Sequence, residues 1–184
     1  MKSLIYARHS KKQHSIILQE GLDYAAQNTI GKGEEYTDLF YGPLYRTLQS
    51  ILVAVATLGI KAKVHEPIEE IGTQEMFEKL ATDKFKELVK AGDSNLTALR
   101  KSNLELYKEV VETAKCGVQK MFDKISENGK GLACGHSPVI EAAAEAFRDV
   151  DLKDYGWQLH ECEAIVFVQD DKSNITVKKI IRVQ

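Results

Sequence analysis

Residues 4–10 have the sequence LIYARHS, in which four apolar residues are followed at once by Arg8, His9 and Ser10. A short apolar run of this kind is typical of a central strand that is buried on both faces. The polar residues directly after it indicate that the chain leaves the sheet there. We therefore expect His9 to lie beyond the carboxyl end of a strand, where open α/β sheets bind their ligands.

A later segment, residues 131–147, repeats this arrangement. Its apolar beginning, GLAC, predicts a short buried strand, the letters GHS follow, and an apolar pattern with proline in the first turn predicts a helix. His136 therefore follows its strand as His9 follows the first one. A single histidine in a loop is usually only a solvated side chain, which is our interpretation of His14, His65 and His160. Two histidines at equivalent positions favour a common site.

The helix predicted for residues 43–58 contributes a second arginine. Apolar residues recur there at spacings of three and four, so Leu44 and Leu48 lie on one buried face. Arg46 projects from the other side, near the start of the helix. An arginine side chain matches the geometry of phosphate and keeps its charge at any working pH. Together with Arg8 and the two histidines, it predicts a phosphate site that requires no metal ion.

The remaining segments complete an alternation of strands and helices. We predict a short strand over residues 62–65, a helix over 74–90, a long helix over about 103–126 and a closing hairpin of strands 164–168 and 175–183. This order predicts a three-layer α/β sandwich with a mostly parallel central sheet. A chain of 184 residues is of ordinary size for one domain, so we expect a single domain over residues 1–184.

Charge and composition restrict the classes of partner. The 25 basic and 27 acidic residues leave a net charge of -2, which predicts no binding to nucleic acid or to an anionic membrane. No apolar stretch is long enough to cross a bilayer, and the first residues become charged too soon for a signal peptide, so we expect a cytoplasmic protein. Cys116, Cys134 and Cys162 suit neither a disulfide framework nor a zinc site. We expect no cofactor.

Taken together, three motifs resemble those of the histidine phosphatase superfamily, and of its phosphoglycerate mutase-like branch in particular. Residues 4–10, LIYARHS, are similar to the family's strand and Arg-His-Gly motif. Residues 43–50, PLYRTLQS, are similar to its second-arginine helix, and residues 135–137, GHS, to its Gly-His motif. All three occur in the family's order, and they span most of the chain.

This resemblance implies a covalent mechanism. His9 would attack phosphorus and become phosphorylated, since neutral imidazole is a good nucleophile near pH 7. Arg8, Arg46 and His136 would bind the phosphoryl oxygens and neutralise charge in the transition state, without magnesium.

A proton donor is implied by the same resemblance. Residues 68–71, IEEI, look like the family's Leu-x-Glu-Ile element, which places the donor at Glu70. Glu70 would protonate the leaving oxygen in the first step and accept a proton from water in the second. Glu69 and Glu66 are the alternatives.

The loop after the nucleophile departs from the family's pattern. Ser10 replaces the usual glycine, and Lys12 and Ser15 stand where threonine and asparagine are common. Two interpretations of Lys11, Lys12 and His14 are open: they direct positive charge at the substrate, or they form a solvated run.

Hydrolysis is favoured over a phosphomutase reaction. A mutase must shield its phosphoenzyme from water, whereas the segment from about residue 71 to 102 is mostly an ordinary charged helix. We therefore predict a metal-independent phosphatase that acts on a phosphorylated small molecule or a phosphoprotein. A phosphomutase of the same family and a catalytically silent phosphate-binding module are the alternatives.

Overall fold

The fold is organised around one mixed sheet. The computed structural model describes residues 1–12, 16–28, 34–147 and 158–183, and these residues form a six-stranded sheet of order β3-β2-β4-β1-β5-β6. Strands β1, β2, β3 and β4 pair in parallel with one another, while β5 is antiparallel to both β1 and β6 at one edge. The strands are β1 Lys2–Arg8, β2 Asp38–Tyr41, β3 Lys63–Val64, β4 Lys130–Gly135, β5 Ala164–Gln169 and β6 Ile175–Ile181.

Helices cover both faces of this sheet. They are α1 Gln19–Gln27, α2 Tyr45–Leu58, α3 Gln74–Leu80, α4 Asp83–Lys90, α5 Asn95–Ser102, α6 Leu104–Lys124 and α7 Val139–Ala146, with a 3₁₀ helix at Glu69–Ile71. Within the described ranges, no helix is both long enough and apolar enough to cross a membrane.

Two cores separate the three layers, because side chains alternate between the two faces of a strand. Leu4 and Tyr6 of β1 pack in a large cluster that includes α6 and α7. Ile5 and Ala7 point to the opposite face and pack in a second cluster with α2. The predicted α/β class, the mostly parallel sheet and the closing hairpin at its edge are confirmed.

The predicted helix over residues 74–90 is wrong in its extent, because the segment forms two helices. Thr73 caps α3 by accepting a hydrogen bond from Met76 N, and Thr82 caps α4 by accepting one from Phe85 N. Threonine at an N-cap replaces a missing intrahelical bond, so a second helix begins where the first one ends. Strand β2 and helix α1 were not predicted, since each is short and has a weak apolar pattern.

A buried polar cluster at the start of β2 ties together three distant segments. Asp38 Oδ1 accepts a hydrogen bond from His65 Nε2 at 2.7 Å, and its Oδ2 accepts from Ser126 N at 3.0 Å and from Thr37 Oγ1 at 2.7 Å. His65 is buried and stacks on Phe40 with ring centroids 4.6 Å apart. Its interpretation as a solvated loop residue is therefore wrong. His160, by contrast, is exposed.

We predict that Asp38→Ala lowers the free energy of unfolding by about 3–5 kcal/mol, because it leaves the buried His65 and Ser126 donors without their acceptor. Burial by itself would raise the pKa of Asp38, but the hydrogen bonds from His65, Ser126 and Thr37 outweigh it and lower the pKa. A lowered folded-state pKa makes this contribution fully present above the unfolded value of about 3.9 and lost as the pH falls through the folded value.

Urea unfolding at pH 7 and pH 3 measures both effects. Asp171→Ala is the matched control, since that side chain is 92% exposed and its removal should cost within about 0.5 kcal/mol. The structural role of Asp38 would be contradicted if the two variants lost equal free energies of unfolding. It would also be contradicted if the difference between them were larger at pH 3 than at pH 7.

Candidate active site

His9 and His136 lie side by side at the carboxyl edge of the parallel strands. In the pairing of β1 with β4, Arg8 is opposite Gly135, and His9 N continues the ladder by donating to Gly135 O at 3.1 Å. The residues that follow the two strands therefore meet. The two imidazole centroids are 4.9 Å apart with an interplanar angle of 62°, and both side chains are buried.

The His9 ring is held in one tautomer. Its Nδ1 donates to the carbonyl oxygen of Ser10 at 2.6 Å, and a carbonyl oxygen can only accept, so Nδ1 carries the proton. Burial lowers the pKa of His9 to about 3; the bond to Ser10 opposes this shift, while the charges of Arg46, Arg8 and Lys12 add to it. At neutral pH the ring is therefore uncharged, and Nε2 has a free lone pair.

His136 is held in the opposite tautomer by Arg46. Arg46 Nε donates to His136 Nδ1 at 3.2 Å, so the neutral ring carries its proton on Nε2. The pKa of His136 lies well below its usual value because of burial and the nearby His9 and Arg46. Its Nε2 is buried and has no hydrogen-bond partner among the described residues. A buried N–H donor without a partner costs free energy, and an oxyanion would satisfy it.

Ser10 joins the loop after β1 to two helices. Ser10 is fully buried; its N donates to Ser50 Oγ at 3.2 Å, and its Oγ donates to Gly21 O at 2.6 Å. Ser50 Oγ in turn donates to Arg46 O at 3.0 Å, which links the His9 loop to the arginine on α2. The φ angle of Ser10 is not in the left-handed region, so serine replaces the family's usual glycine without backbone strain.

Arg8 is directed at the segment before β5. Its guanidinium donates to Leu159 O and forms an ion pair with Glu161 Oε1 at 3.3 Å. The buried Glu141 holds the same segment, since its Oε1 accepts from Leu159 N at 3.1 Å, and burial raises the pKa of Glu141. No sequence motif indicated Glu141 or Glu161.

Phe77 and Gly72 close one side of the site and were missed by sequence reasoning. The Phe77 ring lies 4.9 Å from the His136 ring and 5.8 Å from Arg46 Cζ. Gly72 has a φ of +123°, and a Cβ atom there would lie 2.9 Å from Phe77 and 3.1 Å from His136. Phe77 is one apolar residue in a charged helix, so only its position in the fold reveals its role.

Glu70 points away from these residues, toward α6. Its carboxylate forms an ion pair with Lys120, and its backbone and Cβ pack against Gly117. Burial would raise the pKa of Glu70, but the hydrogen bond from Lys120, a backbone hydrogen bond and the charges of Lys120 and Lys124 together lower it. The structure describes no contact between Glu70 and the two histidines or two arginines. Glu69 and Glu66 are exposed.

An open cleft of about 660 Å³ leads to His9. It is lined by Arg8, His9, Lys11, Lys12, Leu18, Glu20, Gly21 and Glu161. His14 and Ser15 lie outside the described residues. The described ranges contain no group of three or more histidine, cysteine or acidic side chains placed to hold a metal ion.

Solved structures share this fold over nearly their whole length. Phosphoglycerate mutase from Bacillus anthracis str. Sterne has a TM-score of 0.69 at 13% identity, with 96% of this chain and 91% of that chain covered. Phosphoserine phosphatase from Entamoeba histolytica, in complex with 3-phosphoglyceric acid, has a TM-score of 0.65 at 11% identity, with 100% and 98% covered. This is the phosphoglycerate mutase-like fold.

The protein histidine phosphatase SixA, complexed with tungstate, shares the fold with a TM-score of 0.60 at 13% identity, covering 98% of this chain and 96% of that one. No known family model matches the sequence. A search of curated proteins also gives no match. The fold that the three short motifs implied is thus confirmed, although overall sequence similarity did not reveal it.

We predict that Gly72→Ala disturbs the site more than Gly92→Ala. Both glycines have a positive φ, +123° and +101°, so both substitutions introduce backbone strain. At Gly92 the added methyl group meets nothing within 4 Å, whereas at Gly72 it collides with Phe77 and His136. Gly72→Ala should therefore lose about 1–3 kcal/mol more stability.

Urea unfolding of both variants tests this difference, and orthovanadate affinity reports on the site. We expect weaker vanadate binding in Gly72→Ala and unchanged binding in Gly92→Ala. Identical behaviour of the two variants would show that Gly72 does not set the spacing between Phe77 and His136.

Proposed function

We propose that this chain is a histidine phosphatase that hydrolyses phosphomonoesters or related phosphorylated substrates through a phosphohistidine at His9. The observation that carries the proposal is the pair of opposite tautomers. His9 has a lone pair on Nε2, while His136, 4.9 Å away, has a buried N–H donor on Nε2. One is suited to attack phosphorus, and the other is suited to bind a phosphoryl oxygen.

The reaction would proceed in two displacement steps. In the first, His9 Nε2 attacks phosphorus, the bond from phosphorus to the leaving oxygen breaks, and that oxygen takes up a proton. The positive charge that develops on the ring is stabilised by the Ser10 carbonyl at Nδ1. In the second step, water attacks phosphorus, the phosphorus–nitrogen bond breaks, and the water gives a proton back to the group that protonated the leaving oxygen. Inorganic phosphate leaves, and the neutral imidazole is restored.

Arg46 and His136 would carry most of the charge stabilisation. The Nε of Arg46 is occupied by His136, which leaves its terminal nitrogens for phosphoryl oxygens. Arg8 would contribute from the other side of His9, with its orientation set by Leu159 and Glu161. Helix α2 begins at Tyr45, so its positive N-terminal end is directed at the same edge of the sheet.

Glu70 remains our proposal for the proton donor, and it rests on sequence resemblance alone. Its ion pair with Lys120 keeps the carboxylate ionised at neutral pH. To act as an acid, Glu70 would have to leave Lys120 and gain a proton. Without this step, the pocket would favour substrates whose leaving group needs no protonation.

Hydrolysis is our choice between the activities of the similar structures, which include phosphatases and a mutase by name. The cleft at His9 is open, so water reaches the phosphoenzyme. Phosphorylated small molecules and phosphoproteins are the proposed substrates.

We predict that His9→Ala abolishes both hydrolysis and covalent labelling. Quenching the protein during turnover of p-nitrophenyl phosphate should trap phosphate in an acid-labile, alkali-stable bond, as expected of a phosphoramidate. Loss of the nucleophile should reduce kcat by at least about 10³-fold. His160→Ala, which removes an exposed histidine, is the control and should label normally. Full hydrolysis by His9→Ala would sink the mechanism.

His136→Ala should behave differently from His9→Ala, because it removes a donor to the transition state and keeps the nucleophile. We expect kcat to fall by about 10²–10³-fold while the label still forms on His9, only more slowly. Rapid-quench measurement of label formation separates the two variants. A protein that only binds phosphate would show no label in any of them.

Glu70→Gln tests the proton donor. If Glu70 is the acid, turnover of an alkyl phosphate should fall by about 10²–10⁴-fold, while turnover of p-nitrophenyl phosphate changes little, since its leaving oxygen needs little protonation. Glu69→Gln is the matched neighbour and should not show this selectivity. The assignment moves to another residue if Glu70→Gln slows both substrates equally or neither.

A further inference from the structure

The positive charge available in the phosphate pocket is smaller than the presence of two arginines suggests. A phosphomonoester carries close to two negative charges at neutral pH. Arg8 is already paired with Glu161 at 3.3 Å, so part of its charge is compensated before any ligand binds. Arg46 forms no ion pair with an acidic side chain in the part of the chain that the structure describes. The two arginines together therefore supply less than the charge that the phosphoryl group brings.

Lys12 brings a further positive charge to this place. It lines the cleft beside Arg8 and His9. Its charge is among those that lower the pKa of both His9 and His136. Burial, and then the charges of Arg46 and Arg8, lower the pKa of Lys12 itself. Lys12 thus lines the cleft that leads to His9, and its charge acts on both histidines.

Its neighbour Lys11 has a different environment. Lys11 Nζ lies 4.5 Å from the centroid of the Tyr24 ring on α1, a cation–π contact. The two lysines are adjacent in sequence, carry the same charge and both line the cleft, but the Lys11 ammonium group is engaged by an aromatic ring, whereas the charge of Lys12 is among those that lower the pKa of both histidines. This difference favours the first of the two interpretations of the basic run for Lys12, and it makes Lys11 a matched comparison.

We propose that Lys12 is a further catalytic residue, whose ammonium group binds the phosphoryl group that is transferred to His9 and, with Arg46, neutralises its charge. The proposal rests on the function proposed above for His9. A lysine ammonium is a compact charge with three donors, so it can follow the oxygens as phosphorus moves from the leaving group to the imidazole. In this chain it occupies the position where the resembling family commonly has a neutral threonine.

The test compares Lys12→Gln with Lys11→Gln, with p-nitrophenyl phosphate as substrate and orthovanadate as a phosphoryl mimic. Neither probe has a second anionic group, so both report only on the phosphoryl pocket. We expect Lys12→Gln to reduce kcat/KM and vanadate affinity by roughly 10- to 100-fold, as for the loss of a charge-assisted hydrogen bond. Lys11→Gln should have an effect of at most about threefold, the size expected of a screened surface charge. Lys12→Arg should recover most of the loss.

The comparison has clear contrary outcomes. Equal effects of the two glutamine variants would mean that only the overall electrostatic potential of the loop matters. That result would overturn the proposal. So would a Lys12→Gln variant with unchanged vanadate affinity that loses activity only on 3-phosphoglycerate, whose carboxylate is a second anionic group. Urea midpoints equal to wild type show that each variant is folded.

Failure of the proposed function can be told apart from failure of this inference. Phosphohistidine labelling of the wild type tests the function of His9 and does not depend on Lys12. If the wild type neither turns over nor labels, the function is wrong. Vanadate affinity then decides by itself whether Lys12 binds a phosphoryl-like anion.

Discussion

The parallel pairing of β1 with β4 is the constraint on which the site depends. Adjacent parallel strands end at the same edge of a sheet, and the register places Arg8 opposite Gly135. The next residues, His9 and His136, must then emerge side by side. A shift of one residue would turn each side chain of a strand to the other face of the sheet. The apolar residues of β1, buried in two different cores, hold the register against such a shift.

Burial and charge act together on the two imidazoles that this pairing creates. Burial lowers the pKa of both, and the arginines lower it further, so neither ring is charged at neutral pH. Opposite hydrogen bonds, to the Ser10 carbonyl and from Arg46, then give the rings complementary roles. Among the described residues, His136 Nε2 is a buried donor without a partner, and the charges of Arg46 and Arg8 act on both rings. Functional sites commonly carry such local costs, which an anionic ligand would relieve.

The elements that carry the site could be predicted from the sequence because their signals are local. Strand β1, helix α2 and strand β4 each show a recognisable pattern of apolar residues. The candidate site residues lie within these elements or directly after them. His9, Arg46 and His136 could therefore be assigned to one edge of a sheet before any contact was known. The fold class followed from the alternation of strands and helices. Strand β2 was missed because it is short. The break between α3 and α4 was missed because two short helices with capping threonines give little periodic signal.

By itself, then, the sequence determined the class of fold and the edge of the sheet at which Arg8, His9, Arg46 and His136 lie. Only the tertiary structure decided what those side chains and their neighbours contact. Glu70 is paired with Lys120, fifty residues away, and Lys11 lies over the Tyr24 ring while both it and the adjacent Lys12 line the cleft at His9. The physical reason is that periodicity reports the environment of a whole element. The partner of a single charged side chain depends on segments that are remote in sequence and are brought close only by packing.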